Sequence, residues 1–124
     1  MGGNDFSTPL NPNEKWKTRE ELQNDYVSTY EKFIDRLHKQ HPKAHFLVFS
    51  SGDPASEMTA QLNRVVANVK AKEKSKDKSM ITFPTPPAMS LERTSCQWHA
   101  SAKDHKVVAD VLINYLEAHP ELWE

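Results

Sequence analysis

The chain has 124 residues, 37% of them hydrophobic and 27% charged, proportions that suit one soluble domain and exclude a disordered tail or a large multi-domain enzyme. Sixteen Lys and Arg against seventeen Asp and Glu leave a formal net charge of -1, so the basic field that would hold nucleic acid is absent. A single cysteine, Cys96, excludes an internal disulfide framework and a zinc site of clustered thiolates, and no stretch is apolar enough to cross a bilayer.

The opening residues MGGNDFSTPLNPNEKW carry neither a basic n-region nor an apolar h-region, so no export signal is expected within them. From Thr18 to Gln40, Leu22, Tyr26, Tyr30, Phe33, Ile34 and Leu37 recur three or four apart and predict an amphipathic helix. Thr18-Arg19-Glu20-Glu21 has the form of a capping box at its start, and Pro42 ends it. Ala44 to Ser50 is a short, mostly apolar run between Pro42 and Gly52-Asp53-Pro54, which reads as a strand buried on both faces. Met58, Leu62, Val65, Val66 and Val69 return to helical spacing over Ser56 to Lys72. The lysine-rich run from Lys70 to Lys78 is broken by Glu73 and Asp77 and reads as a solvated helix end and turn.

Ser79 to Phe83 is a second strand candidate, and a proline-rich loop follows as far as His99. Val107, Val108, Val111, Leu112, Tyr115 and Leu116 predict a third helix, started by Ser101 as N-cap with Asp104 as its capping carboxylate and finishing near His119-Pro120. Helix, strand, helix, strand, helix in one chain points to an α/β sandwich with a short parallel sheet, whose working face lies at the carboxyl ends of the strands. No repeat, low-complexity segment or interior linker divides residues 1–124, so a single domain is expected.

Two segments hold groups suited to chemistry. In Cys96-Gln97-Trp98-His99-Ala100-Ser101, a histidine just before a helix N-cap sits on a defined backbone that suits a general base, although the segment alone favours an exposed capping-loop histidine. In Gly2-Gly3-Asn4-Asp5, glycines permit a tight bend and an asparagine amide can donate to a developing oxyanion, although the same residues also make an ordinary turn. His99 and His105 do not have the i,i+4 spacing of a helical metal site, and no carboxylate cluster completes one, so no metal or other cofactor is expected.

Taken together, GGND near one end and W-H-x-S at a helix start near the other resemble two sequence blocks of the SGNH/GDSL hydrolase superfamily. DFSTPLN after GGN and the CQWHAS form look most like carbohydrate esterase family 2, the acetyl-xylan esterase-like deacetylases. The resemblance implies a carboxylic ester hydrolase acting on acetylated carbohydrate, with a partial three-layer α/β/α sandwich. It implies that His99 is the general base, Asn4 the oxyanion-hole amide, and Gly3 the point where the chain approaches substrate. Trp98 would be an apolar wall or sugar-facing platform, with a core tryptophan as the alternative.

Two departures qualify this. Cys96 stands where many members carry the Asp of a D-x-x-H motif, and a neutral thiol cannot stabilise an imidazolium as a carboxylate does; a small half-buried residue is expected there. The nucleophile-bearing block and the strand leading into GGND precede the matching region in the family, so the chain reads as a carboxy-terminal portion without the serine. Ser50 and Ser51, in SSGD, do not match that block and read as loop serines. An amino-terminal complementing segment or a homo-oligomer is then expected, because Phe46, Val48, Met80 and Ile81 would otherwise face solvent along a sheet edge. A non-catalytic carbohydrate-binding or protein-interaction module is the alternative function.

Overall fold

The computed structural model describes residues 3–50, 53, 55–72, 80–83 and 89–122. Two compact units divide the chain, Met1–Thr85 and Pro86–Glu124.

The first unit holds α1 (Arg19–Gln40), β1 (Phe46–Phe49), α2 (Glu57–Lys72) and β2 (Met80–Phe83). α1 begins where expected, with the Thr18 hydroxyl accepting from Glu21 N, but the box is only half formed. The Glu21 carboxylate accepts from Lys17 N at 2.6 Å, one residue before the cap. The helix stops at Gln40, and Pro42, which has no N–H to continue the ladder, follows its His41 cap. β1 and β2 run parallel, as the strand-helix-strand order requires, with Phe46 opposite Met80 and Phe49 opposite Phe83.

Leu62, Val65, Val66 and Val69 of α2 lie one turn apart and pack with Val27 and Ile34 of α1 and Val48 of β1. Tyr26, Tyr30, Phe46 and Met58 flank that cluster. Burying a Val, Leu or Ile side chain is worth about 1.5–3 kcal/mol, more than the ~0–1 kcal/mol of an exposed ion pair, so this cluster is the main support of the unit. The buried stripe of α1 is Leu22, Val27 and Ile34, rotated from the expected one: Val27 is in the core, and Phe33 is 42% exposed.

Two expectations about the strands change. Val48 is 7% exposed and Phe46 packs against the core, so neither faces solvent as an open edge. Alternate side chains of a strand share a face, and α1 and α2 cover the face that Phe46 and Val48 share. Leu47 and Phe49, on the other face, are half-buried, so the expected burial on both faces is not met within this unit. The side chains of Met80 and Ile81, most of the lysine-rich run, and Ser51 lie outside the described residues.

The second unit comprises an extended segment, a short turn at Cys96–Trp98, α3 (Ala102–Glu117) and a closing turn at Pro120–Leu122. Ser101 and Asp104 form the full capping box that the sequence predicts. α3 ends at Glu117 with Ala118 as its cap, just before His119-Pro120. Its apolar residues Val107, Val108, Val111, Leu112, Tyr115 and Leu116 are half-buried, and Asp104 is the one residue of the helix that is buried. Among the described residues, no helix is long and apolar enough to cross a membrane.

Candidate active site

The sequence candidates fall in pairs, Gly3 and Asn4 in the first unit, Trp98 and His99 in the second.

The segment carrying Gly3 and Asn4 is anchored by Arg19. Its guanidinium donates through Nε and Nη2 to the two Glu57 carboxylate oxygens, each at 2.8 Å. The remaining reach of the fork goes to the segment, with Nη1 donating to the Thr8 carbonyl at 2.8 Å and Nη2 to the Phe6 carbonyl at 3.0 Å. The same group lies 5.4 Å from the Phe6 ring, which meets Tyr26 edge-on at 4.9 Å. Hydrogen bonding to Arg19 holds the Glu57 carboxyl below the usual carboxylate range, and Arg19 is raised in turn by Glu57.

Asn4 itself is exposed, its carbonyl accepting from the Ser7 hydroxyl at 3.1 Å. It borders a cavity of about 200 Å³ that Asp5, Thr8, Trp16 and Arg19 also line. An amide there is open to a ligand, which an oxyanion donor must be. A Cβ on Gly3 would meet nothing within 4 Å, so local crowding does not require glycine at that position.

In the second unit, His99 follows the turn Cys96–Trp98 and is exposed. Its N–H donates to the Cys96 carbonyl and its own carbonyl accepts from Ser95 N, both at 3.2 Å, closing a tight ring of backbone. Gln97 and Trp98 are left-handed, with φ of 53° and 63°, and the indole of Trp98 is 81% exposed. Within these 124 residues the indole is therefore outside any core. Cys96 is also exposed, contrary to the half-buried position expected, because the turn carries its side chain outward. Ser50 is buried, with the Thr59 hydroxyl 3.2 Å away and donating also to the Asp53 carbonyl at 2.9 Å. His105 is exposed in the first turn of α3, and among the described residues no three of His, Cys, Asp and Glu gather as a metal site would need.

Sequence reasoning missed the long-range reach of two residues that organise these segments. Arg19 sits inside a capping pattern, and nothing local reveals that it reaches Glu57, thirty-eight positions away. Asp104 is legible as a cap from Ser101-x-x-Asp104, but its carboxylate also takes the amides of Glu92 and Arg93.

No family model matches the chain. It is 37% identical over 123 residues to an acetylxylan esterase / glucomannan deacetylase of Cellvibrio japonicus (strain Ueda107), covering 99% of this chain and 32% of that protein. It superimposes, with a TM-score of 0.89 and 36% identity, on a solved carbohydrate esterase whose active site is described as displaying divergent catalytic and non-catalytic binding functions. That match covers 100% of this chain and 36% of the solved one. The chain thus spans about a third of the length of these relatives. Mixed, helix-dominated and with a short parallel strand pair, it is homologous over its full length to part of a carbohydrate esterase of the acetylxylan esterase kind.

Proposed function

We propose that the chain is the carboxy-terminal portion of an SGNH-type carbohydrate O-deacetylase, whose nucleophilic serine lies outside these 124 residues. The observation that carries this reading is the 37% identity to an acetylxylan esterase / glucomannan deacetylase along 99% of the chain. In this reading residues 1–124 form one hydrolase-like domain, and the two strands are part of a three-layer α/β/α sandwich. An amino-terminal segment or a second copy of the chain completes the site.

The chemistry is acyl transfer from an acetylated sugar. As the serine oxygen attacks the acetyl carbonyl, His99 takes the hydroxyl proton and the Asn4 amide donates to the oxyanion. Collapse breaks the ester bond, and His99 gives the proton to the departing sugar oxygen, which leaves as the free hydroxyl. Water then attacks the acyl-serine, gives a proton to His99, and acetate leaves as the proton returns to serine. Gly3 borders the bound acyl group, and the exposed Trp98 offers a flat apolar face to the sugar. With Cys96 in place of a carboxylate, the imidazole depends on its backbone setting for orientation, and the reaction needs no cofactor.

Acetate release from acetylated xylan and glucomannan tests the proposal, measured with the chain alone and with an amino-terminal segment carrying the serine. Activity that requires the segment and disappears in His99→Ala supports it. Full activity of the isolated chain, lost in Ser51→Ala, refutes the placement of the nucleophile. A second reading, a non-catalytic carbohydrate-binding module, is favoured by the 81% exposure of Trp98. It predicts oligosaccharide binding that survives His99→Ala, fails in Trp98→Ala and releases no acetate.

A further inference from the structure

Asp104 is 1% exposed, and its carboxylate is shared between two stretches of chain. At one end of the loop it accepts from Glu92 N at 2.7 Å and Arg93 N at 3.0 Å; at the other it accepts from Ser101 N at 2.7 Å. The Ser101 amide, then the Glu92 amide, the Ser101 hydroxyl and the Arg93 amide, hold the carboxyl down to about 2 against the opposing effect of burial. Within the loop, Arg93 at the anchored end and Gln97 and Trp98 beyond it all have left-handed φ, at 49°, 53° and 63°. Residues with side chains hold that conformation when their surroundings impose it. Lys103 pairs with Glu92 beside the carboxylate and adds a further tie between helix and loop.

We propose that Asp104 is the positioning residue of the 92–101 loop: one buried carboxylate, bound to both ends, fixes the path that places the Trp98 indole and the His99 imidazole. The value of that placement for ester hydrolysis rests on reading His99 as the general base, whereas the positioning itself does not. An ordinary helix cap would serve α3 alone. Asp104 differs because two of its partners, Glu92 and Arg93, lie outside the helix and its cap.

The test compares Asp104→Asn with Ser101→Ala in the 124-residue chain. The Ser101 variant removes the side-chain half of the cap, which accepts from Asp104 N at 3.1 Å, and leaves the loop's carboxylate in place. Helix content is followed by circular dichroism, amide exchange and the Trp98 and His99 resonances by NMR. Asp104→Asn is expected to speed exchange at Glu92 and Arg93 by on the order of tenfold and to shift both side-chain resonances; Ser101→Ala leaves them near wild type. Equal shifts in the two variants, or unchanged loop signals in Asp104→Asn with α3 intact, would overturn the proposal. If Asp104→Asn does not fold, wild-type exchange decides: the Glu92, Arg93 and Ser101 amides open together if one anion holds them, and independent opening refutes it. None of these readouts needs turnover, so a failure of the esterase reading leaves the result interpretable.

Discussion

Replacing Arg19 probes how the Asn4 segment is held. Arg19→Ala removes two bonds to Glu57 and one each to the Phe6 and Thr8 carbonyls. A hydrogen bond to a charged group contributes about 1.5–3 kcal/mol when well buried. Here the Arg19 and Glu57 side chains are 30% and 31% exposed, so water screens each bond and competes for it. Discounting each of the four to about 0.5–1 kcal/mol gives a loss of about 2–4 kcal/mol. Lysine keeps the charge but offers a point instead of a planar fork, so Arg19→Lys is expected to lose roughly half as much. Urea unfolding followed by circular dichroism gives the stabilities, and amide exchange near Phe6 and Thr8 reports whether the segment is released. A loss below about 0.5 kcal/mol in Arg19→Ala, or full retention by Arg19→Lys, would refute the bidentate anchor as a significant support.

Leu62→Ala, which hollows the cluster between α1, α2 and β1, is expected to lower stability by about 2–5 kcal/mol in denaturant titration. Ser101→Ala removes the hydroxyl that caps α3 and should cost about 1 kcal/mol, read as reduced thermal stability of the helix signal. Both Glu57 and Asp104 have folded-state pKa values below their ordinary ones, so their contribution is complete above pH ~4, the unfolded carboxylate range, and is lost as pH falls through the folded values. For Asp104 that window extends down to about 2, and Asp104→Asn should flatten the α3 unfolding profile across it. In the complemented enzyme, Asn4→Ala is expected to lower kcat by about 10²–10³-fold if its amide holds the oxyanion; an unchanged kcat removes Asn4 from that role.

The sequence by itself determined the local elements. Helical spacing, the Thr18 and Ser101 caps and the Pro42 stop place α1, α2 and α3 within a residue or two of their observed bounds, because these signals act between neighbours in the chain. The parallel pairing of β1 and β2 followed from the helix between them, and the GGND and CQWHAS segments were enough to point to the carbohydrate esterases. What it left open depends on contacts between distant residues. Whether α1 buries Val27 or Phe33 is decided by where α2 packs, and Val48 is covered because both helices lie on its face of β1. Trp98 could be core or surface on sequence alone, and the left-handed turn that exposes it is a property of the folded loop. Arg19 reaching Glu57, and Asp104 gathering Glu92 and Arg93, are likewise tertiary facts: each charge satisfies backbone groups or a partner that no periodicity or spacing encodes.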